Sequence, residues 1–150
     1  MVIDTSALLA ILQDEPERRT FNEAIQAAPA RSISVASFVE VSMVMESRHG
    51  AEGVRDLDDF LDRAGIVQAA VDAEQGKIAR RAFQRFGKGR HPAGLNFGDC
   101  FAYALATVRR EPLLFKGDDF ARTDATPARP FNAAGEVSND PGAGTGSLPG

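Results

Sequence analysis

Five carboxylates in this chain stand where a carboxylate calls for a reason. Asp4 follows Met1-Val2-Ile3, which reads as a short buried strand, and directly precedes an apolar helical pattern. Glu40 lies in "SFVEVSMVMESRHG", beside Phe38, Val39 and Val41, with Ala36, Met43 and Val44 at helical spacing. Asp99 lies in the first turn of "NFGDCFAYALATVRR", and Asp118 and Asp119 form the turn "KGDDF" after the apolar run "PLLF". Ordinary roles exist for most of them. An aspartate at a helix start accepts hydrogen bonds from free backbone N–H groups and favours the helix dipole. Aspartates in tight turns are explained by turn chemistry. Glu40 is harder to dismiss. Its segment is apolar nearly all round, as in a helix buried in the core, and an unpaired buried carboxylate is costly.

The chemistry these acids could share is metal chemistry. Carboxylates that converge repel one another, and a hard cation relieves the repulsion. Magnesium prefers oxygen ligands and keeps several waters. Held by carboxylates, it can bind a phosphate, acidify a bound water and stabilise a leaving oxygen. Zinc is disfavoured, because the chain has two histidines, one cysteine and no Cys/His spacing for a zinc site. A phosphate substrate has a place to bind. Between Lys77 and His91 there is no acidic residue, while Glu52 to Glu74 is strongly acidic. The glycine-spaced "GKGRH" leads into the loop before Asp99, so Lys88 and Arg90, with Lys116, are the expected phosphate contacts. His91, followed by Pro92, reads as structural or substrate-orienting rather than as a general base.

The elements that must position these residues alternate. Strands are expected at Met1 to Asp4, "RSISVA", "IVQAAV" and "PLLF". Helices are expected from Thr5 to Leu12, over "PERRTFNEAIQAAP", over "SFVEVSMVMESRHG" ending at Gly50, and over "AEGVRDLDDFLDRAG". Asp72 caps a further helix, "AEQGKIARRAFQRFG", and Phe97, Phe101, Leu105 and Val108 form an apolar row on the last one. Glu52, Asp56, Asp58, Asp59 and Asp62 fall on a solvated helix face. Short strands alternating with helices argue for an α/β fold with a mainly parallel sheet, whose sites form at the carboxyl ends of the strands. Asp4, Asp118 and Asp119 fall at such ends.

The 150 residues are a one-domain length, with 43% hydrophobic and 25% charged residues, the composition of an ordinary globular protein. The net charge of −4 does not advertise nucleic-acid binding, though an average can hide a patch. The single Cys100, in an apolar helical pattern, reads as a buried inert thiol and fits a reducing compartment. No basic region precedes the first apolar residues, and no apolar run approaches the roughly 18–20 residues that span a membrane, so a cytoplasmic protein is expected. From Phe131, "FNAAGEVSNDPGAGTGSLPG" is too poor in apolar residues to offset ordering, and is expected to be a disordered tail.

"MVIDTSALLAIL", Glu40, "KGRHPAGLNFGDCFAYALA" and "PLLFKGDDF" together resemble the VapC toxins, PIN-domain ribonucleases of type II toxin–antitoxin systems. The resemblance covers residues 1–130. It implies a Rossmann-like, three-layer PIN fold and a metal-dependent endoribonuclease that cuts tRNA or rRNA and so blocks translation. It places the family's acidic positions on Asp4, Glu40 and Asp99, with a fourth at Asp118 or Asp119. It implies magnesium or manganese held by Asp4 and Asp99, with Glu40 direct or through water. Thr5 and Ser6 match the hydroxyl residues that support the family site. It also implies homodimers and neutralisation by a cognate VapB antitoxin. The tail after Pro130 is not required by the family pattern.

Two other classes compete. A haloacid-dehalogenase-like phosphatase with Asp4 as nucleophile would need a second aspartate two residues on, where this chain has Ser6. A non-catalytic RNA- or partner-binding module would leave the acids as caps and turns. A receiver-like phosphoacceptor domain is weaker still, with Lys116 alone in the place of its late lysine.

Overall fold

The computed structural model describes residues 1–128. In chain order the elements are β1 (Val2–Ile3), α1 (Thr5–Leu12), α2 (Arg18–Ala27), β2 (Ser32–Ser34), α3 (Val35–Ala64), β3 (Val67–Ala69), α4 (Ala73–Phe86), α5 (Phe97–Arg109) and β4 (Leu113–Leu114), then a 3₁₀ turn at Phe120–Arg122. The four strands form one parallel sheet in the order β3-β2-β1-β4. Strand side chains alternate between faces, and here the alternation sorts the core into two. Ile3 and Leu114 point into a cluster with Leu8, Ile11, Ile25, Val41, Met45, Leu57 and Leu61 from α1, α2 and α3. Their neighbours Val2 and Leu113 point the other way, against Ala82, Phe86, Cys100, Tyr103 and Leu105 from α4 and α5. Helices therefore cover both faces, and the fold is the three-layer α/β arrangement that the alternating sequence predicts. The expected tail from Phe131 lies outside the described residues.

The chain first lays β2 and β3 to one side of β1, then crosses back to place β4 on the other. The strand order thus reverses beside β1. In open α/β sheets the crevice outside the carboxyl ends at such a reversal is the usual place for a ligand. Asp4, the residue after β1, stands there, with its N–H donating to the Leu114 carbonyl of β4 at 2.9 Å.

Three details differ from the sequence-based expectation. The helix carrying Glu40 starts earlier, at Val35 with Ser34 as its cap; at Gly50 (φ 63°, ψ −153°) the backbone leaves helical geometry, so the span to Ala64 is two helices meeting at a kink, with the first ending at Gly50 as the sequence predicts. Nor is that helix buried all round, since Val39 is 48% and Met43 64% exposed. The apolar row of α5 is only in part a core face: Leu105 is buried and Phe101 half-buried, but Phe97 is 79% exposed, whereas Tyr103 from the opposite face is buried. The reason is that α5 passes through the middle of the molecule. Ala102, Ala104 and Ala106 let it pack closely, and only the two ends of the bulky row, Phe97 and Val108, are left toward solvent.

Candidate active site

Asp4 is a helix cap and more. Its backbone is extended, and its Oδ2 accepts from the Ser6 N–H at 2.9 Å, opening α1. It is also 2% exposed, unusual for a charged residue. Burial pushes its carboxyl above the ordinary range; hydrogen bonds from Ser6 and Thr5 pull the other way, and the Glu40 charge adds to the rise.

Asp99 is the third residue of α5 and forms a capping box with Asn96. The Asn96 side chain accepts from the Asp99 N–H at 2.9 Å, and Asp99 Oδ2 accepts from the Asn96 N–H at 3.0 Å. Burial raises its carboxyl to about 7, against the Asn96 hydrogen bond and with help from the charges of Asp4, Asp119 and Glu40. Carboxylates from the ends of β1 and β4 and from α3 all act on a carboxylate of α5. The charge of Asp119 adds to the rise at Asp99 and that of Asp118 is not among its causes; both aspartates are exposed in the loop after β4.

Glu40 reaches the same place across the α3–α5 contact. A Cβ built on Gly98 would lie 1.9 Å from Glu40 Oε2, so the glutamate occupies the space beside a residue that has no side chain. Gly98 is in the first turn of α5, where free N–H groups and the helix dipole favour a negative charge. This seat was absent from the sequence-based reading. Its signal was a glycine, a poor helix former, placed just inside a helix and directly before an acid.

Hydroxyls tie the elements together. Thr5 Oγ1 donates to the Ser37 carbonyl at 3.3 Å, joining α1 to α3, and Ser6 Oγ accepts from the Lys116 N–H at 3.0 Å, joining α1 to the loop after β4.

The expected phosphate contacts divide. Lys88 and Arg90 are exposed in the loop before α5, and the Arg90 guanidinium lies 5.3 Å from the centre of the Phe83 ring. Lys116 is instead paired with Glu15 and, at 3.2 Å, with Glu17. His91 packs edge-on against Phe86 and accepts from the Ala93 N–H at 3.1 Å, a structural role. Cys100 is buried, and burial pushes its thiol up to about 11, as an inert thiol requires. Glu52, Asp56, Asp58, Asp59 and Asp62 are all exposed.

Among the described residues no three acidic, histidine or cysteine side chains already stand as a closed metal cage. Asp4 and Asp99 are each turned onto a backbone N–H and Glu40 onto Gly98. The donor set still fits a hard divalent cation. It is all oxygen, and among the described residues no basic side chain forms an ion pair with Asp4, Glu40, Asp99 or Asp119. Repulsion within the cluster is what a cation would relieve.

The chain matches the family model of the PIN domain over residues 1–126. It is 56% identical over 124 residues to a ribonuclease VapC of Mycolicibacterium smegmatis, covering 83% of this chain and 96% of that one. This chain belongs to the VapC ribonucleases of the PIN-domain family. Two solved structures share the fold. One is a VapC toxin of Mycobacterium tuberculosis described as cleaving the sarcin–ricin loop, with a TM-score of 0.70 at 16% identity over 86% of this chain and 98% of that one. The other is a VapBC complex of Rickettsia felis bound to a fragment of promoter DNA, with a TM-score of 0.64 at 14% identity over 84% and 94%. Membership in the VapC family makes the chain a ribonuclease, and PIN-domain ribonucleases depend on divalent metal.

Proposed function

We propose that the chain is the toxin of a toxin–antitoxin pair and cuts cellular RNA, tRNA or rRNA, at the carboxylate cluster beside β1, so blocking translation. The observation that carries this reading is the buried Asp4 at the end of β1, where the strand order reverses, together with Glu40 seated against Gly98, the residue before Asp99. Asp4, Asp99 and Glu40 would hold the cation, magnesium or manganese, with Asp119 rather than Asp118 as the fourth acid. The cation supplies Lewis acidity and neutralises charge at the phosphodiester. The chain's own residues do the rest. The α1 and α5 caps fix the first two carboxylates, and Gly98 leaves room for the third. Lys88 and Arg90 would draw the RNA backbone to the cluster.

A VapB-type antitoxin is the proposed partner, supported by the VapBC assembly among the structural neighbours. Exposed Val39 and Met43 on α3 and Phe97 on α5 flank the Glu40–Gly98 contact, an apolar rim suited to a protein surface, from the antitoxin or a second copy. No helix among the described residues is long and apolar enough to cross a membrane, which is consistent with a cytoplasmic site of action.

The test is RNA cleavage by antitoxin-free protein, comparing wild type with Asp4→Asn and Asp99→Asn, in Mg²⁺ and in EDTA. Metal-dependent cutting by wild type alone supports the reading. Equal cutting by all three proteins would sink it.

A further inference from the structure

Lys116 lies three residues before Asp119, yet its ammonium is directed toward α1 and α2. It pairs with Glu15 and lies 3.2 Å from Glu17, both in the connection between those helices. One carboxylate oxygen of Glu17, Oε2, is shut off from solvent, so the ammonium is what offsets its charge. The backbone of the same residue is held too, its N–H donating to Ser6 Oγ at 3.0 Å. Immediately afterward Gly117, at φ 95°, turns the chain toward Asp118 and Asp119 in a conformation that side-chain-bearing residues rarely adopt. The Phe115 and Phe120 rings, 5.3 Å apart, close the base of this loop.

Resting on the metal-nuclease reading above, we infer that Lys116 is a positioning residue: gripped by Ser6, Glu15 and Glu17, it holds the loop of residues 116–119 over the end of α1, beside the acidic cluster. The ring contact alone fixes where the loop begins and ends, but not which way its crest leans. The clasp fixes the lean, and with it the side of the loop that Asp119 presents. A lysine whose charge is already matched by two carboxylates is a poor phosphate contact, because RNA would have to break both pairs. The role of Lys116 is therefore exerted through Asp119 and not on the substrate.

The experiment measures Mn²⁺ affinity of the full chain by calorimetry, together with kcat and KM for RNA cleavage. The variants are Lys116→Met, Lys116→Arg and the double variant Glu15→Gln/Glu17→Gln, with thermal unfolding to confirm that each is folded. Lys116→Met and the double variant should each weaken Mn²⁺ binding by about three- to tenfold and lower kcat, with KM unchanged; Lys116→Arg should restore both. A KM increase in Lys116→Met, with the double variant behaving as wild type, would overturn the clasp in favour of direct phosphate contact. Wild type binding Mn²⁺ with all variants equal to it would overturn the clasp alone. Failure of wild type to bind Mn²⁺ at all would overturn the metal-nuclease reading beneath it.

Discussion

Asp4 and Asp72 are written in the same local grammar. Each follows a strand, each has an extended backbone, and each caps a helix, Asp4 through the Ser6 N–H and Asp72 through the Gln75 N–H, both at 2.9 Å. Their surroundings are opposite. β1 lies inside the sheet with β4 and β2 beside it, and β3 is an edge. Asp4 is consequently buried among other acids, whereas Asp72 is exposed. A cap motif becomes a candidate catalytic carboxylate only where the strand order reverses and other elements bring their own charges to it.

The largest effect should separate these two residues in catalysis. Asparagine caps helices about as well as aspartate, so Asp4→Asn and Asp72→Asn both keep their helices. RNA cleavage should fall on the order of 10²–10⁴-fold in Asp4→Asn and stay at the wild-type rate in Asp72→Asn. Equal activity in the two variants would erase the distinction.

Much of this was legible in the sequence because it is local. The strand-helix alternation, the caps at Asp4 and Asp72 and the inert Cys100 all follow from short-range pattern. What was illegible depends on which helix passes through the centre. The Phe97, Phe101, Leu105, Val108 row looked like a core face, yet its ends are exposed and Leu105 shares the close packing with the alanines of α5. The choice between Asp118 and Asp119 turns on loop direction, and the pairing of Lys116 joins residues a hundred positions apart. The resemblance to the VapC family supplied the grouping of the acids, which periodicity alone could not.

Asp99 sharpens the contrast through pH. Its carboxyl is raised from 3.8 to about 7 in the folded chain. Between those values the unfolded chain gives up its proton while the folded chain keeps it, so stability of the metal-free protein should fall as pH rises through that window. At about 1.36 kcal/mol per pH unit the limit is about 4 kcal/mol, and solvent screening of a half-buried group should reduce it to about 1–2 kcal/mol. Urea unfolding in EDTA at pH 5 and 7.5 should show this loss in wild type and not in Asp99→Asn. Added Mg²⁺ should also suppress it, by binding the ionised form.

Gly98→Ala tests whether the Glu40 seat matters. The new methyl group would collide with the Glu40 carboxylate. Alanine improves a helix by about 0.5 kcal/mol over glycine, so the displaced glutamate, not a lost helix, should dominate. Mn²⁺ affinity should weaken several-fold, about 1 kcal/mol, with little change in thermal stability. Unchanged affinity would remove Glu40 from the cation site.

The smallest effect returns to the two caps, and here even the sign should differ. Asp72→Ala deletes an exposed cap and should cost about 1 kcal/mol, with cleavage intact. Asp4→Asn retains a cap but removes a carboxylate whose ionisation burial and Glu40 both oppose. In EDTA at neutral pH that substitution should therefore stabilise the fold, as removal of an opposed charge does. With Mg²⁺ present the order should reverse, since wild type gains binding free energy that the variant forfeits. Thermal unfolding of the two variants with and without Mg²⁺ reads both signs in one experiment. If Asp4→Asn were destabilising in EDTA by as much as Asp72→Ala, Asp4 would be acting as a cap and nothing more.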